Sequence, residues 1–186
     1  MGSATANVKR RMPSRGGFAP GAGLLVAIVL MLMPLEAGAA RWQGDVVVVR
    51  DHTGGRRWGP IVAEQVAALN AALPPGAPRF VYEDGGKQPC DEISRDTRVI
   101  SVCSLKRLSR PAAASTTRRE ESIREALIVL RQSEIRLGRN RVCHELMHAA
   151  TAIADAYGAE PQSCVRGSLS TFGAWDIALL ADEYGS

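Results

Sequence analysis

The sequence predicts an α+β domain in which a strand, a helix and several further strands precede the two helices that close the chain. Three observations support this class. The β-branched run within 45–50 is typical of a buried strand. Apolar residues at helical spacing follow over 58–73. A second stretch with helical spacing, 174–184, ends the chain and has a possible cap at Thr171.

Residues 1–39 predict a secretory signal, cleaved near Ala39/Ala40. Basic residues precede an unbroken apolar run of about ten residues, and small residues at 37–39 form a cleavage site. Such a run is too short to span a bilayer of about 30 Å. We therefore expect a secreted or periplasmic protein with no stable membrane span. An uncleaved membrane anchor is the alternative.

Charge gives no indication of a nucleic-acid partner. The whole chain has 23 Lys and Arg against 19 Asp and Glu, but the leader holds four of these bases and one acid, which leaves 19 against 18. A nearly neutral domain lacks the basic footprint that nucleic-acid binding requires. About 147 residues remain after cleavage, enough for one domain, 40–186. The sequence does not indicate an oligomeric state.

The other elements are predicted from shorter patterns. Pro74, Pro75 and Gly76 stop the first helix. The segment 106–124 is predicted as a mobile loop ending in a solvated charge run, and 126–130 is interpreted as a strand. The remaining predictions are strands at 79–83, 97–103 and 135–138, a helix from about Asn140 to Tyr157, and a loop over 159–172.

Four cysteines in an exported domain predict two disulfides. Three connectivities are possible. We favour Cys90 with Cys103 and Cys143 with Cys164, because each pairing closes a short local loop. Zinc held by cysteines is the competing interpretation, although no CxxC spacing is present.

The segment 142–148 contains one HExxH motif, formed by His144, Glu145 and His148. Histidines four apart lie one turn apart on one helix face, so both can reach a single metal ion. At about 100° per residue, Asp155 falls between them, while an apolar stripe occupies the opposite face. The sequence therefore predicts a helix with its apolar side packed and its ligand side open. A surface helix with two histidines by coincidence is the alternative.

This order of elements resembles the catalytic domain of metzincin-type zinc peptidases. The closing stretch 169–185 is similar to the matrixin ending, in which a helix carrying an Asp-Ile pair finishes in Tyr-Gly. The resemblance implies a small zincin-like domain with a twisted, mostly parallel sheet, a helix in the N-terminal half, an HExxH active-site helix and a C-terminal helix. It also implies a bound Zn²⁺ and peptide hydrolysis.

The chain departs from the metzincin pattern after the motif. Thr151 stands where the pattern has glycine, and Ala154 where it has a third His or Asp. The family's methionine-containing turn is also absent, since the only methionine after the leader is Met147. The stretch 162–166 occupies the equivalent place, and a Cys143–Cys164 bridge could give comparable support.

Asp155 is the favoured third metal ligand, one residue later than in the pattern. In an unbroken helix it would lie about 10 Å along the axis from His148, so ligation requires the helix to unwind after roughly Ala150. The alternatives are Asp176 or Glu183 from the last helix, His52, Glu160, or no third ligand.

The resulting hypothesis is an exported zinc-dependent endopeptidase that acts on peptides or proteins. His144, His148 and Asp155 would hold Zn²⁺, and Glu145 would be the general base. Tyr157 or Arg166 could steady the oxyanion. Two alternatives stay open: a catalytically inactive zincin-like binding domain, and a zinc amidohydrolase that acts on cell-wall peptides.

Overall fold

A mostly parallel sheet forms the centre of the fold in the computed structural model, which describes residues 40–110, 112–153 and 161–185. The predicted signal, 1–39, lies outside the described residues. Strand β6 lies between the antiparallel β5 on one side and the parallel β4 and β1 on the other, and β2 and β3 extend the sheet beyond β4. The strands are β1 (Arg41–Trp42), β2 (Val46–Asp51), β3 (Arg79–Asp84), β4 (Val99–Leu105), β5 (Ala112–Arg119) and β6 (Ser122–Arg131).

The described residues contain three α-helices: α1 (Gly59–Ala72), α2 (Gly138–Thr151) and α3 (Ala174–Tyr184). The α+β class and the mostly parallel sheet are therefore confirmed, and α1 and α3 match their predicted positions closely. Within the described ranges, no helix has both the length and the apolar character needed to cross a bilayer.

One face of the sheet packs against α1 and α2. The inward residues of β2, Val47 and Val49, have no exposed surface. Strand alternation puts them on the face that meets the apolar stripes of both helices. The helices contribute to this core the residues Val62, Val66, Leu69, Val142, Leu146, Ala149 and Ala150.

The Cys90–Cys103 disulfide ties the connection between β3 and β4 to β4 itself. Cys103 is fully buried, and Arg50 of β2 forms ion pairs with Glu83 at 3.1 Å and with Asp96 at 3.0 Å. The connection is therefore held by a covalent bond and by charge pairs. The favoured pairing of these two cysteines is confirmed.

The prediction of a mobile loop over 106–124 was wrong, because 112–119 form strand β5. This strand pairs with β6 in antiparallel register, and the hairpin turns at Glu120, whose φ is +56°. Its sequence has low β-propensity, since it starts with three alanines and carries no large apolar residue. Pairing with the strongly β-forming β6 determines its structure instead.

Two boundaries around the HExxH helix also differ from the predictions. The strand predicted at 135–138 is wrong: Gln132–Leu137 form a 3₁₀ helix, in which Ile135 packs on the core and Leu137 is half exposed. Helix α2 then ends at Thr151 rather than at Tyr157. Two apolar residues separated by one position are typical of one face of a strand, but in the 3₁₀ helix only Ile135 packs inward.

Candidate functional site

The HExxH segment lies in the second half of α2, and its polar side chains share one stripe of the helix. His144, Glu145 and His148 line a cleft of about 370 Å³. Glu145 is 5% exposed, and both histidines are half-buried. The opposite stripe is packed in the core. The helix therefore presents two imidazoles and one carboxyl group to the cleft, as the helical spacing predicted.

The two imidazole rings converge on one point. Their Nε2 atoms are 3.0 Å apart, and the ring planes are inclined by 72°. Each Nδ1 atom faces a backbone carbonyl instead: that of Ile153, at 2.8 Å, for His148, and that of Cys164, at 3.4 Å, for His144. An imidazole that donates from Nδ1 carries its lone pair on Nε2. Both rings can thus offer a lone pair to the same position in the cleft.

Two side chains that are distant from α2 in the sequence help to terminate this helix. The indole Nε1 of Trp42 donates to the carbonyl oxygen of Ala149 at 2.8 Å, and the Tyr184 hydroxyl donates to that of Ala150. These carbonyls would otherwise accept hydrogen bonds from a continuing helix. Burial raises the pKa of Tyr184, so its hydroxyl keeps the proton that it donates. Strand β1 and helix α3 therefore cap the HExxH helix from outside.

Ala152 makes the turn that ends the helix, with φ of 52° and ψ of 23°. The left-handed conformation costs an L-residue roughly 1–2 kcal/mol and is adopted most readily by glycine. The Ala152 amide still donates to the carbonyl oxygen of His148 at 2.8 Å. This turn brings the Ile153 carbonyl back to the His148 ring, so the end of the helix also orients one candidate ligand.

The Cys143–Cys164 disulfide joins α2 to the loop below it, with the Cα atoms 6.0 Å apart. Cys143 directly precedes His144, and the carbonyl of Cys164 faces the Nδ1 atom of the same histidine. The Asn140 side chain also donates to the carbonyl oxygen of Leu169 at 2.7 Å. The favoured second cysteine pairing is confirmed. The bridge fixes the loop beside the first candidate ligand.

Asp176 organises this loop and is fully buried. Its carboxylate accepts from the Ser163 hydroxyl at 2.6 Å and from the amides of Cys164 at 2.8 Å and Gly173 at 2.9 Å. A carboxylate with three such donors is satisfied by the protein itself. Asp176 therefore supports the loop under the histidines and does not line the cleft.

The other predicted alternatives lie away from the cleft or outside the described residues. His52 is buried at the end of β2, and burial raises the pKa of the half-buried Glu183, but neither lines the cleft. The guanidinium of Arg166 stacks over Trp175 at 4.6 Å and does not line it either. Asp155, Tyr157 and Glu160 lie outside the described residues. Within the described ranges, no third His, Cys, Asp or Glu joins the two histidines in a group that could hold a metal.

Arg110 and Arg141 also line the cleft, and neither residue was predicted from the sequence. Arg141 precedes His144 by three residues and Glu145 by four, so helical spacing alone puts it on the same stripe. This signal was available in the sequence. Arg110 precedes β5, in the segment predicted as a loop, and its place beside the cleft depends on the hairpin.

Comparisons with known proteins identify no relative: no family model matches the chain, and no curated protein matches it.

Proposed function

We propose that this chain is an exported zinc-dependent endopeptidase of HExxH type. The observation that carries the proposal is the convergence of the His144 and His148 Nε2 atoms beside Glu145, on one wall of a cleft. The leader-like N-terminus and the two disulfides support the export part of the proposal.

The histidine geometry fits a zinc ion. Two nitrogens bound tetrahedrally at about 2.0–2.1 Å from Zn²⁺ lie about 3.3 Å apart, and the observed separation is 3.0 Å. Zinc-binding histidines also usually donate their other ring nitrogen to a carbonyl or carboxylate, which fixes the tautomer and the ring orientation. The carbonyls of Ile153 and Cys164 are placed for this role.

Asp155 remains the proposed third ligand. The condition for its participation, an end of the helix close to Ala150, is met because α2 stops at Thr151 and turns at Ala152. In the metzincin pattern the third ligand follows the turn glycine by three residues. Here Asp155 follows the left-handed Ala152 by three residues, so both features are displaced by one position.

Glu145 is the proposed general base. Its carboxyl group lies in the cleft beside His144, where it can accept a proton from an attacking water molecule and return it to the leaving nitrogen. A bound Zn²⁺ would supply the acidity of that water and polarise the scissile carbonyl. Because Glu145 is only 5% exposed, bulk water has little access to the proton that Glu145 would hold between the two transfers.

The edge strand β5 supports a peptide as the substrate. Its residues Ala112, Ala114 and Thr116 form the wall facing α2, and β5 pairs with β6 along one edge only among the described strands. An extended peptide can add to such an edge through its backbone. Small side chains on this wall leave room for the backbone to approach Glu145.

The test is metal content and turnover of the protein from Ala40 onward. We expect one zinc per chain in the wild type and in Glu145→Gln, and loss of it in His148→Ala, with His52→Ala as the control because His52 does not line the cleft. Peptide cleavage should fall at least 100-fold in Glu145→Gln. Retained cleavage in that variant, with zinc bound, would refute the mechanism.

The same measurements separate the two alternatives. Stoichiometric zinc without cleavage of any peptide library would favour the binding domain. Cleavage restricted to cell-wall peptides would favour the amidohydrolase. Absence of zinc from the wild type, even after incubation with the metal, would overturn the proposal.

A further inference from the structure

The described part of the cleft lining carries more positive than negative charge. Two arginines, Arg110 and Arg141, and two histidines face it, whereas Glu145 is the one acidic side chain among these lining residues. The proposed chemistry uses Glu145 as the base and the two histidines as zinc ligands. It gives no role to Arg110 or Arg141.

Arg141 lines the same cleft as His144, Glu145 and His148. It falls at about 60° on the helical wheel, between His148 and Glu145. Its Nε atom is buried and has no hydrogen-bond partner, and within the described ranges its guanidinium makes no ion pair. By contrast, Arg139 on the same helix pairs with Glu64 at 2.9 Å. A partly buried guanidinium without a partner gains substantially from an anionic ligand.

Arg110 adds a second cation to the cleft lining, from the chain just before β5 rather than from α2. It precedes β5 and is exposed, and the same connection carries the exposed Lys106 and Arg107. The alanines of β5 do not fill the space between Arg110 and α2. A ligand in the cleft can therefore meet a cation from each wall.

We propose that Arg110 and Arg141 bind a carboxylate of the peptide substrate and make the enzyme selective for acidic peptides. This inference rests on the proposed peptidase function and names its substrate class. The guanidinium fork matches a carboxylate in two parallel hydrogen bonds. The carboxylate can come from an internal Asp or Glu side chain or from the C-terminus of the peptide, and both sources present the same group.

The experiment compares three peptide libraries of equal length. One has blocked ends and a fixed Glu, the second replaces that Glu by Gln, and the third contains Gln and a free C-terminal carboxylate. Equimolar mixtures are equilibrated with the zinc-loaded Glu145→Gln protein, and bound peptides are quantified by mass spectrometry after ultrafiltration. Cleavage of the same mixtures by the wild type is measured in parallel.

We expect the acidic peptides to bind roughly 10- to 100-fold better than the neutral ones, from the strength of a charge-assisted hydrogen bond. Added to the Glu145→Gln background, Arg141→Gln should remove most of this preference and Arg110→Gln part of it. Arg139→Gln, the control, should change nothing. Preference for the first library identifies a side-chain carboxylate, and preference for the third a C-terminal one.

Equal binding of all three libraries, or no binding, would overturn the inference. Because Arg110 is exposed, its variant should fold normally even if Arg141→Gln reduces stability. Cleavage of acidic and neutral peptides at equal rates would refute the selectivity while leaving the peptidase intact. Selective binding without any cleavage would keep the carboxylate site and reject the peptidase.

Discussion

Removal of the Cys143–Cys164 disulfide should reduce both stability and zinc affinity. The bridge joins residues 21 apart in sequence, and the loop-entropy relation gives about 3.3 kcal/mol for a loop of this size. In a domain of this length each kcal/mol corresponds to about 2–4 °C, so we expect the melting temperature to fall by about 7–13 °C. The change is Cys143→Ala with Cys164→Ala, measured by circular dichroism and calorimetry.

The Cys90–Cys103 pair provides a matched control. Its 13-residue separation predicts a similar loss, about 2.9 kcal/mol, but it lies on β4 and the connection before it, away from the cleft. Its double alanine variant should lose stability without losing zinc affinity. The first variant should lose affinity as well, because the Cys164 carbonyl orients His144. Equal zinc affinity in the two variants, under conditions where both are folded, would refute this reasoning.

Three further predictions concern the folded domain. Burial, together with Asp51 and Asp84, raises the pKa of Tyr82 to about 12, so its contribution to stability is complete below pH 10 and is lost as the pH rises towards 12. Tyr82→Phe should flatten this decline in alkaline denaturation curves, and an unchanged curve would contradict the assignment. Ala152→Gly should change the unfolding free energy by less than about 1 kcal/mol, since relief of the left-handed conformation offsets the entropy of glycine. Thr151→Gly should lower it by more than about 1 kcal/mol in urea denaturation, because Thr151, the last residue of the helix, is fully buried and its hydroxyl donates to the carbonyl oxygen of Met147.

The sequence predicted the elements whose patterns are local. The valines of β2 and the helical spacing of α1 identify these elements without knowledge of their neighbours. Strand β5 could not be found in this way, because its alanines and threonines become a strand only through pairing with β6. Strand propensity depends strongly on such context.

In the candidate site, too, the features set by local spacing could be predicted, and those set by distant residues could not. The spacing of His144, Glu145 and His148 puts them on one stripe, and Arg141 could have been added by the same rule. The end of α2 was not predictable, because Trp42 and Tyr184, which cap its carbonyls, lie 107 and 34 residues away from their partners. No residue between Thr151 and Ile153 is itself a helix breaker, so a local rule continues the helix.

The position of this helix end bears on the proposed metal site. A glycine would turn the chain at position 151, but Thr151 is helical here and its hydroxyl donates to the carbonyl oxygen of Met147. The left-handed turn therefore falls on Ala152. Hydrogen bonds from the side chains of Trp42 and Tyr184, rather than a glycine, stabilise this end of the helix. Under the proposal, a turn delayed by one residue goes with a third ligand delayed by one residue, and Asp155 occupies that position in the sequence. If the proposed zinc site is correct, the missing glycine and the late acid are one displacement from the metzincin pattern, and the absent methionine turn is a separate departure.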